Sequence, residues 1–488
     1  MIPIRLSHRP ARPPSLARWL LALALTAVPA IAPAAVPASE RAFLLDFHAS
    51  MHPEYWFESN NWGGPAGTEC TWYGVICDGA GDHVLGLEMV RNNVWGTLPA
   101  SLSGQSQLKI FRLPLNFFEG PIPPLDALVN LVIFEATQQV NTAEQYGLTG
   151  PLPSLAGLTQ LRRFNVNHNH LEGTIPPFPT ENGPSALEEY VVAANRLSGS
   201  VPALDGVPKL ALIDISANGL SGALPSLTHL SDLAFFGANG NQLSGPLPPI
   251  AGLTRLREFY ARNNQFDRIH ATFSGLPVLE IYDVASNRME GQIAALDQVP
   301  RLRAFYVNDN ALNGSLPELG GTPEMTYFDA SNNRLSGRLP EIAGFAGMTV
   351  FHAAGNQLSG GIPSLAELPA MHSFDVSHNR LSGPIPVLNG MPRLGWFKVN
   401  DNHLSGIAPR VATLHMLLGY DISANRLTGP APAIVPGGMR PDATALCPNH
   451  LDPAPSTQWD QATGETPWYQ ACTAFPESIW SDGFEPAP

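Results

Sequence analysis

Phe374-Asp375-Val376-Ser377-His378-Asn379-Arg380-Leu381-Ser382-Gly383-Pro384-Ile385-Pro386 is one copy of a unit that fills most of this chain. Phe374 and Val376 are two residues apart, so they share one face of a short strand. Asn379 stands where the chain must turn. Its amide both donates and accepts, and can satisfy backbone groups that a bend leaves unpaired inside a coil. Gly383 permits a tight backbone, and Pro386 stiffens the return path.

Outward from this copy, the asparagine recurs at Asn92, Asn116, Asn169 and Asn195, then every 23 residues from Asn195 to Asn425. Residues 131–153 form one more copy, with Gln139 in the asparagine's place and an extra segment at 140–146, which brings the count to fifteen. The glycine is present in 14 of 15 copies and the proline in 13 of 15. One coil cannot bury its own apolar side, so the coils must stack into a solenoid.

The unit reads L-x-x-F-x-V-x-x-N-x-L-x-G-x-I-P, and over residues 84–432 it resembles the plant-type leucine-rich repeat of receptor-kinase ectodomains and polygalacturonase-inhibiting proteins. The resemblance implies an α/β-type, right-handed repeat solenoid with a parallel concave sheet, capped at both ends. Two departures stand out. The period is 23 residues, against a family norm of about 24. The first strand position, usually leucine, is Phe or Tyr in 13 of 15 copies. An aromatic column down the core is expected, with small partners such as Ala238, Ala261, Ala330 and Ala353 making room.

The ends read differently. Residues 1–38 have the form of a signal peptide and short leader: Arg5, Arg9, Arg12 and Arg18, an apolar run over 19–31, then Ala32-Pro33-Ala34 as a cleavage site. Pro29 and Pro33 cut the run short of the ~20 residues a membrane span needs, and no later stretch qualifies, so a secreted or cell-surface protein without a transmembrane segment is expected. Residues 39–83 form the N-terminal cap: helical apolar spacing over 39–52, then Asn61-Trp62-Gly63-Gly64 and Cys70-Thr71-Trp72-Tyr73-Gly74-Val75-Ile76-Cys77. These are similar to the W…C-x-W-x-G-V-x-C cap of plant-type arrays. The array itself is placed at 84–436, since the period stops after Pro432, with a C-terminal cap at 437–475. Cys70 with Cys77 and Cys447 with Cys472 are local pairs and, in an exported chain, read as disulfides. The flexible tail, 476–488, contains Ser481-Asp482-Gly483-Phe484-Glu485, which resembles a short tail on some exported Gram-negative proteins.

Composition narrows the function. The net charge of −14 repels phosphate backbones, so nucleic acid is not an expected partner. Glycine (44) and proline (48) are abundant, and the repeat accounts for them. No H-E-x-x-H, G-x-S-x-G, phosphate-cradling loop or dinucleotide fingerprint occurs, and no kinase sequence follows the array. His168 and His170 flank Asn169 without a third ligand in view. A non-enzymatic chain with no cofactor and no metal is therefore expected.

Function in such an array sits where copies differ on the exposed concave face. Four residues before the asparagine the column reads Asp283, Tyr306, Asp329, His352, Asp375, Lys398 and Asp421, with Tyr260 just before it. Six before it stand Phe235, Tyr327 and Trp396. Aspartate alternates with other residues, and Arg288, Arg334, Arg380 and Arg426 accompany only the aspartate copies, which gives a 46-residue double unit. Spacing carboxylates every second strand halves their crowding. Three readings of the aspartates stand open: ligand recognition, satisfaction of the sheet, or a pattern left by duplication of a two-repeat block. The expected partner is a protein or peptide, with a glycan or a spacer role in the envelope as alternatives. Residues 264–270 lack the glycine and proline, and Ala294 replaces the next proline, so a local change of curvature is expected there.

Overall fold

The computed structural model describes residues 36–137, 147–434 and 437–473. Each coil contributes a short strand to one continuous sheet. Val350–His352, for example, pairs in parallel with Tyr327–Asp329 on one side and Ser373–Asp375 on the other, like position against like position. The sheet runs from Val84–Glu88 through Gly419–Asp421 to Thr444–Ala445. Val75–Cys77 adds an antiparallel strand at the start, for 17 strands in all. Among the described residues, α-helix is confined to the caps: Ala38–Ser50 at one end, Thr457–Thr463 and Gln470–Thr473 at the other.

The middle residue of each concave strand points inward, and here the aromatic column forms. Phe111, Phe134, Phe164 and Tyr190 stack face to face. After Ile213 interrupts, a second stack runs through nine coils from Phe236 to Tyr420, with centroids 5.0 to 5.9 Å apart and planes 11° to 21° from parallel. Large rings at one position of every coil bury much apolar area and fix the stacking direction. Trp459 closes the last ring, 6.1 Å from Tyr420.

The asparagines form a second internal ladder. Asn356 is typical. Its Oδ1 accepts from the N–H of Leu335 in the preceding coil at 2.9 Å. Its Nδ2 donates to Ala330 O of that coil at 3.0 Å and to Ala353 O and Ala354 O of its own. The same bonds recur down the array, and they continue one step beyond the 23-residue period. Asn449, inside the stretch read as C-terminal cap, accepts from Leu427 N and donates to Ile422 O.

Beyond the asparagine, the Leu-x-Gly segments pair into a second parallel layer. It holds eight strands from Trp95–Thr97 to Gln265–Arg268 and six from Ser336–Gly337 to His450–Asp452. Between the two lie only single bridges, Arg268 to Glu290, Gln292 to Asn313 and Ser315 to Ser336. The seam coincides with the irregular copy at 264–270. Elsewhere the repeat glycine takes a positive φ, +79° at Gly245 and +82° at Gly337. Arg268 stands in that place without a positive φ, and the pairing slips there. His270 fills the next apolar position. It is buried between the Tyr282 hydroxyl and Pro248 O, each 2.8 Å away, and burial lowers its pKa to about 4, so it is neutral at physiological pH.

Both caps are knit to the array. Glu40 of the first helix accepts from Val84 N and meets His83, while Arg41 pairs with Glu69. Phe47, Trp56, Trp62 and Trp72 pack together over the open end. Cys70 is bonded to Cys77 and Cys447 to Cys472, as the local pairing implied.

Candidate functional site

The concave face changes character along its length. In the first coils its charges neutralise one another: Arg112 bridges Glu88 and Glu135, and Arg163 pairs with Glu189 on the next strand. From Phe235 onward rings replace these pairs. Phe235 contacts Tyr260 (centroids 5.6 Å), and Tyr306 contacts Tyr327 (4.6 Å). Tyr327 reaches His352 edge-on at 6.4 Å. These aromatics are half-buried, because each leans on the sheet with one side and faces solvent with the other.

Six of the ten sequence-derived site residues come together here: Tyr260, Asp283, Tyr306, Tyr327, Asp329 and His352. Parallel register sets Tyr260, Asp283 and Tyr306 side by side on successive strands, then Asp329 and His352. His352 Nε2 lies 2.8 Å from Ser373 Oγ, and its Nδ1 lies 3.8 Å from Asp329 Oδ2. Burial, with Glu258, Asp283 and Asp329 nearby, raises the phenol pKa values of Tyr260 and Tyr306, so both stay protonated.

The remaining four residues, Asp375, Trp396, Lys398 and Asp421, carry the same face on toward the C-terminal cap, Asp375 standing in register beside His352. Lys398 stands in register between Asp375 and Asp421. Trp396 lies flat over Gly419, where a Cβ would come within 2.5 Å of its ring, and Arg440 of the cap sits 5.9 Å above it. Trp396 thus helps hold the cap against the sheet.

Each aspartate is tied to the turn that follows it, a local role in place of the sheet contact expected. Oδ1 of Asp283, Asp329, Asp375 and Asp421 each accepts from the backbone N–H two residues on, at 3.0 to 3.1 Å. Asp375 and Asp421 also accept from the hydroxyls of Ser377 and Ser423. Asp283 differs. Ala285 takes the serine's place, burial leaves the residue 8% exposed, and desolvation pushes its pKa from 3.8 up to about 6.

Two charged neighbours of the cluster were missed in the sequence. Glu258 stands beside Tyr260, whose hydroxyl donates to it at 2.9 Å. Arg262 is exposed and close enough to favour the ionised form of Asp283. Extending the concave columns to two residues before the asparagine would have found Arg262. The segment at 140–146 lies outside the described residues. Residues 178–184 begin with a core anchor, since Phe178 is buried edge-on against Tyr190. Among the described residues, no group of three or more His, Cys, Asp or Glu is placed to hold a metal.

About fifteen stacked coils of ~23 residues, an asparagine ladder, one long parallel sheet and disulfide-closed ends define a leucine-rich-repeat solenoid of plant type. Residues 37–78 match the leucine rich repeat N-terminal domain, and the chain is a plant-type leucine-rich-repeat protein that opens on this cap. It is similar to the TDR receptor at 25% identity and a TM-score of 0.63, over 78% of this chain and 71% of that one. The plant peptide hormone receptor RGFR1, solved in complex with RGF2, aligns at 23% identity and a TM-score of 0.62, over 78% and 68%. The functional domain of InlJ from Listeria monocytogenes shares the fold at 14% identity and a TM-score of 0.53, over 71% and 69%. The fold is that of leucine-rich-repeat ectodomains, which are typically non-catalytic binding modules. Among the described residues no helix is long and apolar enough to cross a membrane.

Proposed function

We propose that this chain is an exported recognition module that binds an extended peptide or protein segment along its concave face, centred on Tyr260, Tyr306 and Tyr327. The observation that carries this reading is the change along the sheet, from charges paired within it to aromatic rings left half in solvent. Rings held half in water await a partner, and aromatic side chains dominate the energy of recognition surfaces. A peptide hormone receptor of the same fold adds support. No catalytic role, cofactor or metal is assigned to the face.

The test is selection of binding peptides from a random display library on the full chain, followed by titration against variants. Tyr306→Ala and Tyr327→Ala are expected to weaken selected peptides at least tenfold, about 1.4 kcal/mol each. Unchanged binding by both would place recognition elsewhere. Enrichment on a glycan array in place of peptides would favour a carbohydrate ligand for the same rings.

A further inference from the structure

We infer that the concave face takes a basic side chain of its partner, arginine or lysine, into a slot over strand Ile281–Asp283, walled by Tyr260 and Tyr306 and floored by Asp283. This rests on the concave-face reading above and specifies the chemistry of its central contact.

The slot follows from register. Tyr260 and Tyr306 are the lateral neighbours of Asp283 on the two flanking strands. At ~4.8 Å per strand the walls rise ~9.6 Å apart, room for a flat cation between two ring faces. Both walls lean away from the opening. Tyr260 is drawn toward Phe235 and hydrogen-bonds Glu258, and Tyr306 lies against Tyr327. The floor is small and apolar except for the carboxylate, with Ile281 and Ala285 two residues to either side of Asp283.

Asp283 is the unusual group. It is more than nine-tenths buried, at 8% exposed, yet its side chain makes a single hydrogen bond, from Ala285 N to Oδ1. Among the described residues Oδ2 has no hydrogen bond and no ion-pair partner, and it is not shut off from solvent, so it faces the opening. A largely buried carboxylate whose nearby cation, Arg262, is not directly paired with it costs free energy that a ligand cation would return. Asp375 and Asp421 do not offer this, because Ser377 and Ser423 add hydroxyl donors and Lys398 stands between them. The charged groups around the slot are Glu258 and Asp329 on the negative side and Arg262 on the positive. Arg262 is exposed and forms no ion pair with Asp283. Three carboxylates against one guanidinium leave the slot net negative, and aromatic walls favour a cation further. Burial holds Asp283 near a pKa of about 6, so mild acid protonates the floor and a bound cation opposes that protonation.

The probe is the same random peptide library, selected in parallel on the wild-type chain, on Asp283→Asn and on Asp375→Asn. The inference expects one position rich in Arg or Lys for the wild type and Asp375→Asn, and loss of that enrichment on Asp283→Asn. Replacing the selected arginine by citrulline, which keeps the shape and removes the charge, should weaken wild-type binding at least tenfold. Lowering the pH from 7 to 5 should weaken the arginine peptide several-fold and leave the citrulline peptide unchanged. Peptides that depend on Tyr306 but show no basic position, or keep it on Asp283→Asn, overturn the slot and leave the concave-face reading standing. Peptides indifferent to Tyr306 and Tyr327 overturn both.

Discussion

Replacing Asn333 by leucine tests the internal ladder most directly. Leucine has nearly the same volume, so no cavity opens and the effect is one of hydrogen bonding. The asparagine accepts from Leu312 N at 2.9 Å and donates to Val307 O, Ala330 O and Ser331 O at 3.0 to 3.2 Å. After substitution each carbonyl keeps another donor: Asn310 for Val307, Asn356 for Ala330 and the Asp309 N–H for Ser331. Leu312 N–H keeps none, and an orphaned donor costs about 1–3 kcal/mol. With about 1 kcal/mol more for the shared amide bonds, the expected loss is roughly 2–4 kcal/mol. Stacked coils need not unfold as one unit, so amide hydrogen exchange across residues 307–335 is the better assay, with denaturant unfolding beside it. His168→Ala is the control. His168 is exposed with a φ of +53°, and Ala194 and Ala217 hold the matching place at the same angle, so its effect should stay within ~0.5 kcal/mol. Equal protection and equal midpoints for the two variants would refute the ladder as a source of stability.

Three further outcomes are expected. Asp283→Asn should stabilise the chain at pH 7 and leave it unchanged near pH 3.5. The folded pKa, about 6, lies above the ordinary 3.8, so the folded state holds this proton more tightly and stability falls as pH rises through that window, by roughly 2–3 kcal/mol. A variant whose stability difference from wild type did not vary with pH would contradict this. Phe351→Ala removes a ring stacked on Phe328 at 5.2 Å and Phe374 at 5.7 Å, and should cost about 3–5 kcal/mol in chemical denaturation. Cys447→Ser with Cys472→Ser opens a loop of sequence separation 25 and should cost the C-terminal cap about 3 kcal/mol, read as faster exchange around Trp459 and Trp468.

The fold was legible in the sequence because its causes are local and repeated. The spacing of Phe374, Val376 and Asn379 states strand, core and turn in six residues, and stacking does the rest. The aromatic column was readable for the same reason. What escaped depends on neighbours rather than on period. Asn449 stands 24 residues after Asn425 and has Pro453 where nearly all the others have glycine, yet it makes the same bonds. In the candidate site, the columns identified Asp283 and its flanking tyrosines. Nothing in the strand's own letters distinguishes Asp283 from Asp375. The difference is Ala285 in place of a serine, and walls supplied by two other coils. Trp396 looks like a free ring in the sequence, and only Gly419 and Arg440 reveal that it braces the cap.

The asparagine ladder has a direction, and this bears on how such a chain can grow or shrink. Among the described residues, coil after coil relies on the next for the acceptor that closes its turn, as Leu335 relies on Asn356 and Leu427 on Asn449. Shortening from the C-terminal end therefore strands a fresh N–H at each cut. Shortening from the N-terminal end only removes one of three carbonyls that an amide can donate to. A whole coil inserted anywhere inside the array brings its own acceptor and leaves no debt on either side. Repeat number is thus free to drift during the history of the gene, while the terminal asparagine is not.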